Sequence, residues 1–253
     1  MTYDLSRFDL GDMLKSSPRL REAMVGAPTL EASAQRACRF LYDELRGPDT
    51  ERACALVRCY KTHPFVSLEP ELREFARKAL GTGIPQPGMK CLTLMATVGQ
   101  AASWNSRFLS LGHRTSPLAS REIVEKAPMI SQLIKELGLE LSSVLQPSTE
   151  VVKELAGKRH GVFHVENALD SPYIPAQEFV VRYGIKSVVG FGGMLATGDL
   201  FAVILFATVN VSASSADRFR TLSLDVKSSF SKFNDATAFN VRRSTPTDTS
   251  PRA

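Results

Sequence analysis

The chain has 253 residues, of which 43% are hydrophobic and 23% charged, the balance of a protein that folds around a substantial core. The sequence does not begin with a basic segment followed by an apolar one, and its most apolar run, Leu200 to Val211, is about half as long as a membrane-spanning helix needs. The net charge of +5 is scattered along the chain. We therefore expect a cytoplasmic protein without a membrane-spanning segment or a nucleic-acid-binding surface.

The sequence of residues 1–28 predicts an N-terminal helical extension, with short helices at Leu5–Leu14 and Pro18–Met24. The helical pattern becomes regular from Thr29, whose hydroxyl can cap a helix, and Glu31 suits the positive end of that helix. We therefore place the start of the main domain at residue 29 and its end at residue 233.

The sequence of the main domain predicts strands and helices in mixed order. Apolar runs predict strands at Ala53–Tyr60, Cys91–Val98, Gly161–Val165, Lys186–Met194 and Leu200–Val209, and the last two runs are rich in Val, Ile and Phe. Apolar residues spaced three or four apart predict helices at Glu69–Leu80, Pro128–Leu137, Thr149–Ala156, Ala176–Tyr183 and Ser212–Phe233. The polar, proline-containing residues 234–253 predict a disordered tail.

The order of these elements predicts an α+β fold. Strands joined by a tight turn, as at Ala196–Asp199, must be antiparallel, and strands and helices do not alternate as a parallel sheet requires. The simplest packing is an antiparallel sheet of about five or six strands. The first and last long helices of the domain would cover one face, and the irregular region Gln100–Tyr183 would form a lid on the other.

The segments SRFDLGDML, ERACALVRCYKTHPF, SPYIPAQEFVVRYG and Tyr183–Phe233 resemble GAF-type sensory domains. They are most similar to the GAF-like domain that precedes histidine kinases in multidomain bacterial signalling proteins, and the resemblance covers most of Ser6–Phe233. It implies a non-catalytic signal-input or regulatory protein, as in two-component systems. In that family the last helix usually continues into an output domain, whereas here a short basic tail follows. We therefore expect a domain that binds a small molecule or senses the redox state of a thiol, with Cys59 among its candidate ligand-binding residues. It would signal through dimerisation or through a separate histidine kinase or other signalling protein.

The resemblance also implies a cavity for a small molecule between the sheet and the lid. The aromatic residues in or beside the lid are the candidates to line it: Trp104, Phe163, Tyr173, Phe179 and Tyr183. The alternative is that they are ordinary core residues. The Cys-His dipeptide that links bilins in phytochromes and the cyclic-nucleotide pattern of GAF domains are both missing, so the cofactor, if any, is unknown.

The histidine pair His160 and His164 has the spacing of a helical metal site, but the sequence between them predicts a strand. On a strand, residues four apart lie roughly 13 Å from each other, too far to share one metal ion. We therefore predict no metal site and a structural role for these histidines. The open alternative is that His164, flanked by apolar residues, binds a ligand as a single axial haem histidine.

The cysteines allow a second functional hypothesis. Cys54 and Cys59 are five residues apart on one strand and should point to opposite faces, whereas Cys59 and Cys91 could face each other on neighbouring strands. Such a pair would support a thiol-based redox enzyme, similar to the GAF-fold free methionine sulfoxide reductase. The alternative is that all the thiols are buried and inert. A third hypothesis is a protein-interaction module without a ligand.

The last helix carries apolar residues in nearly heptad spacing: Phe219, Leu222, Val226, Phe230 and Phe233. This spacing predicts a homodimer through the terminal helices. The same residues could instead pack on the protein's own sheet.

Overall fold

The computed structural model of the protein describes residues 1–110, 112–158, 160–234 and 238–239. Two short strands, β1 (Tyr3–Asp4) and β2 (Leu45–Arg46), pair in parallel. Within the described residues, the main sheet consists of β3 (Cys54–Pro64), β4 (Lys90–Gly99), β5 (Thr115–Leu118), β6 (Val162–Val165), β7 (Ser187–Met194) and β8 (Leu200–Ala207). All neighbouring strands are antiparallel, in the order β5-β4-β3-β8-β7-β6.

The helices of the described residues are α1 (Leu10–Met24), α2 (Leu30–Glu44), α3 (Pro70–Leu80), α4 (Arg121–Glu125), α5 (Pro128–Glu136), α6 (Leu141–Leu145), α7 (Thr149–Gly157), α8 (Gln177–Arg182) and α9 (Ala213–Phe230). The two predicted caps begin their helices. The hydroxyl of Thr29 accepts a hydrogen bond from the backbone N–H of Ala32, and that of Ser212 accepts one from Ser215.

The sheet separates two apolar layers. Helices α1, α2 and α9 pack on one face, which we call the helix face. Residues of α5 to α8 pack on the other, the lid face. Side chains alternate along each strand, so neighbours such as Val57 and Leu56 enter different layers. This architecture confirms the predicted α+β fold, an antiparallel sheet with the terminal helices on one face and the irregular region on the other.

Strand β5 and helix α1 differ from the predictions. The sequence Thr115–Leu118 contains Pro117 and was not predicted as a strand, yet it pairs with β4 at the edge of the sheet, where a proline is tolerated. Helix α1 is continuous, although two helices were predicted on either side of Pro18. Leu14, whose carbonyl loses its partner to this proline, is exposed, and water can replace the missing N–H.

The predicted N-terminal extension packs into the same core as the rest of the chain. Tyr3, Leu5 and Phe8 are buried, and the Phe8 ring lies 5.1 Å from that of Phe219 on α9. Thr29 therefore caps helix α2 but does not mark a boundary in the packing.

Two residues of the predicted tail, Ala238 and Phe239, pack against the domain. The carbonyl of Ala238 accepts a hydrogen bond of 2.9 Å from the backbone N–H of Glu31, and the Phe239 ring lies 5.0 Å from that of His63. The tail is therefore packed at these two positions. Residues 235–237 and 240–253 of the predicted disordered tail lie outside the described residues.

The apolar stripe of α9 faces the protein's own sheet. Phe219, Leu222, Val226 and Phe230 are at most 1% exposed, and Phe219 and Phe230 contact Phe rings of β7 and β8. Of the two alternatives for this stripe, packing within the chain is the one that the structure shows.

Two glycines of β7 allow close approaches. A Cβ atom on Gly192 would lie 2.1 Å from the carbonyl oxygen of Phe201, and one on Gly193 would lie 2.2 Å from the ring of His160. Only glycine fits between β7 and these neighbours.

Candidate functional site

Three of the predicted ligand-binding residues form one group on the lid face. The Trp104 ring lies 5.7 Å from that of Phe179 and 4.5 Å from that of Tyr183, and Phe179 also meets Phe206 of β8 edge-on at 5.1 Å. We call these four residues the aromatic cluster. Trp104, Phe179 and Tyr183 are partly exposed, so the cluster presents an apolar surface near the edge of the lid.

The other predicted residues lie elsewhere. Phe163 is fully buried in the core of the lid face, and Tyr173 is 37% exposed. His164 follows Phe163 on β6, so it points to the helix face, where its Nε2 lies 2.8 Å from the carbonyl of Val211 and donates to it. A haem iron at Nε2 would have to replace this bond. The structure therefore separates His164 from the aromatic cluster.

His160 has a structural environment. It is 4% exposed; its Nδ1 lies 3.2 Å from the carbonyl of Leu137, and its Nε2 lies 3.1 Å from the carbonyl of Leu155 and 3.2 Å from the backbone nitrogen of Met194. Burial lowers the pKa of this imidazole. The neutral imidazole of His160 therefore links β7 to Leu137, the residue after α5, which agrees with the structural role predicted for this histidine.

The cysteines do not form the predicted pair. Cys59 lies opposite Ala96 in the register, whereas Cys91 lies opposite His63, four residues farther along β3. Cys54 and Cys59 share the helix face, contrary to the prediction, because Ala55 forms a bulge against β8 and reverses the alternation of the side chains.

All four thiols are free and buried. Burial raises the pKa of Cys54 and of Cys91 to about 12, and it raises that of Cys59 well above its usual value. Since the thiolate is the reactive form, these environments suit inert packing groups.

A buried arginine lies beside the aromatic cluster on the lid face. Arg58 of β3 is 8% exposed, and its guanidinium donates to the Ser110 hydroxyl at 3.0 Å and to the Tyr60 hydroxyl at 3.3 Å. No carboxylate of the described residues lies within ion-pair distance of it, whereas buried Arg107 and Arg114 each contact a glutamate.

Two further polar atoms at this position have no partner among the described residues. They are Nε of Arg58 and the hydroxyl of Thr97, which is 0% exposed. Thr97 on β4 is the register partner of Arg58, so both side chains project from the lid face. His113, within electrostatic range, has a pKa lowered by burial and by the charge of Arg58. This polar group is the candidate site.

The segment that covers Arg58 also reaches the helix face. Three residues before Ser110, the buried guanidinium of Arg107 forms two hydrogen bonds with Glu69, of 3.0 and 3.1 Å, and its Nε lies 3.0 Å from Glu31 in the first turn of α2. Phe239 stacks on the same guanidinium at 5.0 Å. Residues 106–110 therefore contact both layers of the fold.

A second buried charged group lies at the hairpin turn. Asp199, 4% exposed, accepts hydrogen bonds from Lys61 at 2.8 Å, Lys90 at 2.5 Å and Thr197 at 2.9 Å. Burial alone would raise the pKa of Asp199, but the two lysines outweigh burial and lower it. The arrangement joins the β7–β8 turn to β3 and β4.

A cavity of about 50 Å³ lies next to Lys61, between the hairpin turn and the ends of α2 and α9. It is well below the roughly 300 Å³ of a small-molecule pocket. Among the described residues, no three His, Cys, Asp or Glu side chains are placed to hold a metal ion. In that same part of the chain, every helix is too short or too polar to cross a membrane.

Sequence reasoning missed Arg58, Thr97 and Arg107. One signal was present: Arg58 is the only charged residue in the apolar run ACALVRCY, and a charge on a strand buried on both faces needs a partner.

The sequence matches no protein-family model and no curated protein. Solved structures of similar shape include the GAF domain of a phosphoenolpyruvate-protein phosphotransferase from Coxiella burnetii, with 11% identity, a TM-score of 0.49, and coverage of 87% of this chain and 93% of that one. Another is the N-acylhomoserine lactone dependent LuxR family transcription factor CepR2 from Burkholderia cenocepacia, with 15% identity, a TM-score of 0.41 and the same coverage. At these identities and TM-scores, neither structure is a basis for assigning a ligand or a residue's role in this chain.

Proposed function

We propose that the protein is a signal-input or regulatory domain that binds a small molecule on the lid face and passes the change to its terminal helices. The observation that carries this proposal is the connection through residues 106–110. Ser110 holds Arg58 on the lid face, and Arg107 holds Glu31 of α2 together with Phe239.

The coupling works through the shared segment. A ligand that takes the place of Ser110 at Arg58 displaces the backbone three residues from Arg107. The Arg107 contacts then change, and with them the first turn of α2, which also holds the carbonyl of Ala238. Ligand binding shifts the protein toward the displaced form of residues 106–110 only if the ligand binds that form more tightly. The ratio of its affinities for the two forms sets the size of the shift.

The test begins with protein purified gently from its own host. Native mass spectrometry and an absorption spectrum should reveal a stoichiometric small molecule. Hydrogen exchange with and without that molecule should then change in 106–110 and in the first turn of α2. A bound molecule that alters exchange on the lid face and leaves α2 unchanged would contradict the proposed coupling, and protein that never binds a small molecule would contradict the sensory proposal.

The buried thiols favour a sensory role over the alternative of a thiol-based redox enzyme. A redox pair needs an accessible thiolate, whereas burial raises the pKa of Cys59 and Cys91, and the register keeps the two residues apart. The proposal therefore assigns no catalytic role. A Cys59→Ser variant that lost a reductase activity present in the wild type would overturn this choice.

We also propose that the protein passes its signal on through a homodimer or through a separate signalling protein such as a histidine kinase. The stripe of α9 is buried within the chain, so the proposed dimer surface is the outer side of α1. There Leu10 is 50% exposed and Leu14 is 63% exposed, one helical turn apart. The mass of the protein in solution tests the homodimer directly.

A further inference from the structure

Arg58 is a buried cation without a counter-charge in the part of the chain that the structure describes. Its two hydrogen-bond partners, the Tyr60 and Ser110 hydroxyls, are neutral. Burying a guanidinium is costly unless an anion compensates it, and the two other buried arginines, Arg107 and Arg114, follow that rule with glutamates.

The unsatisfied atoms at this position lie together. Nε of Arg58 and the Thr97 hydroxyl are both buried without a hydrogen-bond partner among the described residues, and their strands place them side by side on the lid face. Folded proteins rarely leave such atoms unpaired, and a ligand bound at this position would give both atoms a partner. A guanidinium edge and an adjacent hydroxyl can together bind an anionic group.

A ligand could displace the Ser110 hydroxyl from Arg58. Ser110 holds Arg58 through one hydroxyl, which accepts from the guanidinium and donates to the carbonyl of Gly112. His113 has a φ of 55°, in the left-handed region that disfavours a residue with a side chain, and a Cβ on Gly112 would meet nothing within 4 Å. A ligand oxygen that replaced the Ser110 hydroxyl at Arg58 would release Ser110 from this contact.

The residues that lie between Arg58 and the aromatic cluster on the lid face are apolar. The partner of Arg58 on β8 is Ile204, which is 5% exposed, and Phe206 lies two residues farther along the same face, roughly 7 Å away. Phe206 contacts Phe179 of the aromatic cluster. A molecule anchored at Arg58 would therefore have apolar and aromatic side chains of the lid face as its neighbours.

We propose that the lid-face ligand is a small carboxylate with an apolar body, its carboxylate bound by Arg58 and Thr97 and its body packed toward the aromatic cluster. This inference rests on the proposed sensory function and names its ligand class. A carboxylate matches the single charge and parallel donors of one guanidinium. A phosphate dianion would call for a second cation, and Arg114, four residues after Ser110, forms an ion pair with Glu71.

The test uses Trp104, the only tryptophan of the chain, as a fluorescent reporter. The probes are phenylacetate and octanoate, each compared with its neutral amide, and inorganic phosphate. The carboxylates should bind and the amides should bind at least about 10-fold more weakly, because only the carboxylate makes a charge-assisted bond with Arg58.

The variants identify the anchor. Arg58→Gln should weaken carboxylate binding about 10- to 100-fold, and it should fold because it removes a buried charge. Arg58→Lys should also bind more weakly, since it keeps the charge but loses the two parallel donors. Arg121→Gln, which changes an exposed arginine of α4, is the matched control and should bind as the wild type does.

Equal affinity for acids and amides, or wild-type affinity in folded Arg58→Gln, would overturn the carboxylate anchor while leaving the sensory function in place. Binding of phosphate in preference to the carboxylates would also overturn it. If none of these probes binds at millimolar concentration, but native mass spectrometry finds a neutral molecule, the ligand class is wrong and the sensory proposal survives. If no small molecule is found by either method, both proposals fail.

Discussion

Replacing Asp199 with asparagine should destabilise the protein, because it removes a buried negative charge that accepts hydrogen bonds from Lys61 and Lys90. Asp199 is 4% exposed and accepts from Lys61, Lys90 and Thr197. Loss of one partner of a buried ion pair costs about 3–5 kcal/mol. The Lys90 side chain is 13% exposed and can turn toward water, so we expect the lower end, about 3 kcal/mol.

The assay is urea unfolding followed by circular dichroism and by Trp104 fluorescence. The midpoint should fall while the slope of the transition stays the same, because the surface exposed on unfolding is unchanged. Asp217→Asn is the control. Asp217 pairs with Arg220 on the exposed side of α9, and its loss should cost less than about 0.5 kcal/mol.

The pH dependence gives the prediction a second check. The pKa of Asp199 is lower in the folded protein than in the unfolded chain. Its contribution is therefore complete above the unfolded pKa of about 4 and disappears as the pH falls through the folded pKa. The difference between wild type and Asp199→Asn should be constant from neutral pH to about pH 4 and then shrink. A difference below about 1 kcal/mol at neutral pH would refute the reasoning, and so would one that vanishes by about pH 6.

Three further substitutions test other parts of the structure. Burial lowers the pKa of His63 to about 3, so wild-type melting temperatures should fall as the pH drops below about 6.5, and His63→Gln should show a smaller fall. Gly193→Ala places a Cβ 2.2 Å from the ring of His160 and should cost about 2 kcal/mol in urea unfolding. In the same assay Gly157→Ala, with nothing within 4 Å, should cost nothing, and equal costs would contradict the packing argument. Leu14→Glu should leave the circular dichroism spectrum of the folded chain unchanged, since Leu14 is exposed, and halve the mass in solution by separating the proposed dimer; an unchanged dimer would exclude the outer side of α1 as its surface.

Local chemistry made several elements of the fold predictable. The caps Thr29 and Ser212 and the turn at Gly198 act within a few residues of themselves, so their patterns appear in a short window of sequence. The apolar strands and the spacing on α9 likewise defined a mixed fold with an antiparallel sheet and long helices. The resemblance placed Trp104 and Tyr183 in or beside the lid as candidates to line a cavity, but it did not predict that their rings pack together.

Only the tertiary structure determined which side chains meet at the candidate site. A one-residue bulge at Ala55 placed Cys54 on the unexpected face, and pairing with β4 made a strand of the segment around Pro117. The contact of Arg58 with Ser110 joins positions that are 52 residues apart. Sequence periodicity reports whether a residue is on a strand and which neighbours share its face. It does not report the register between strands or the path of a covering loop, because those depend on the packing of the whole domain.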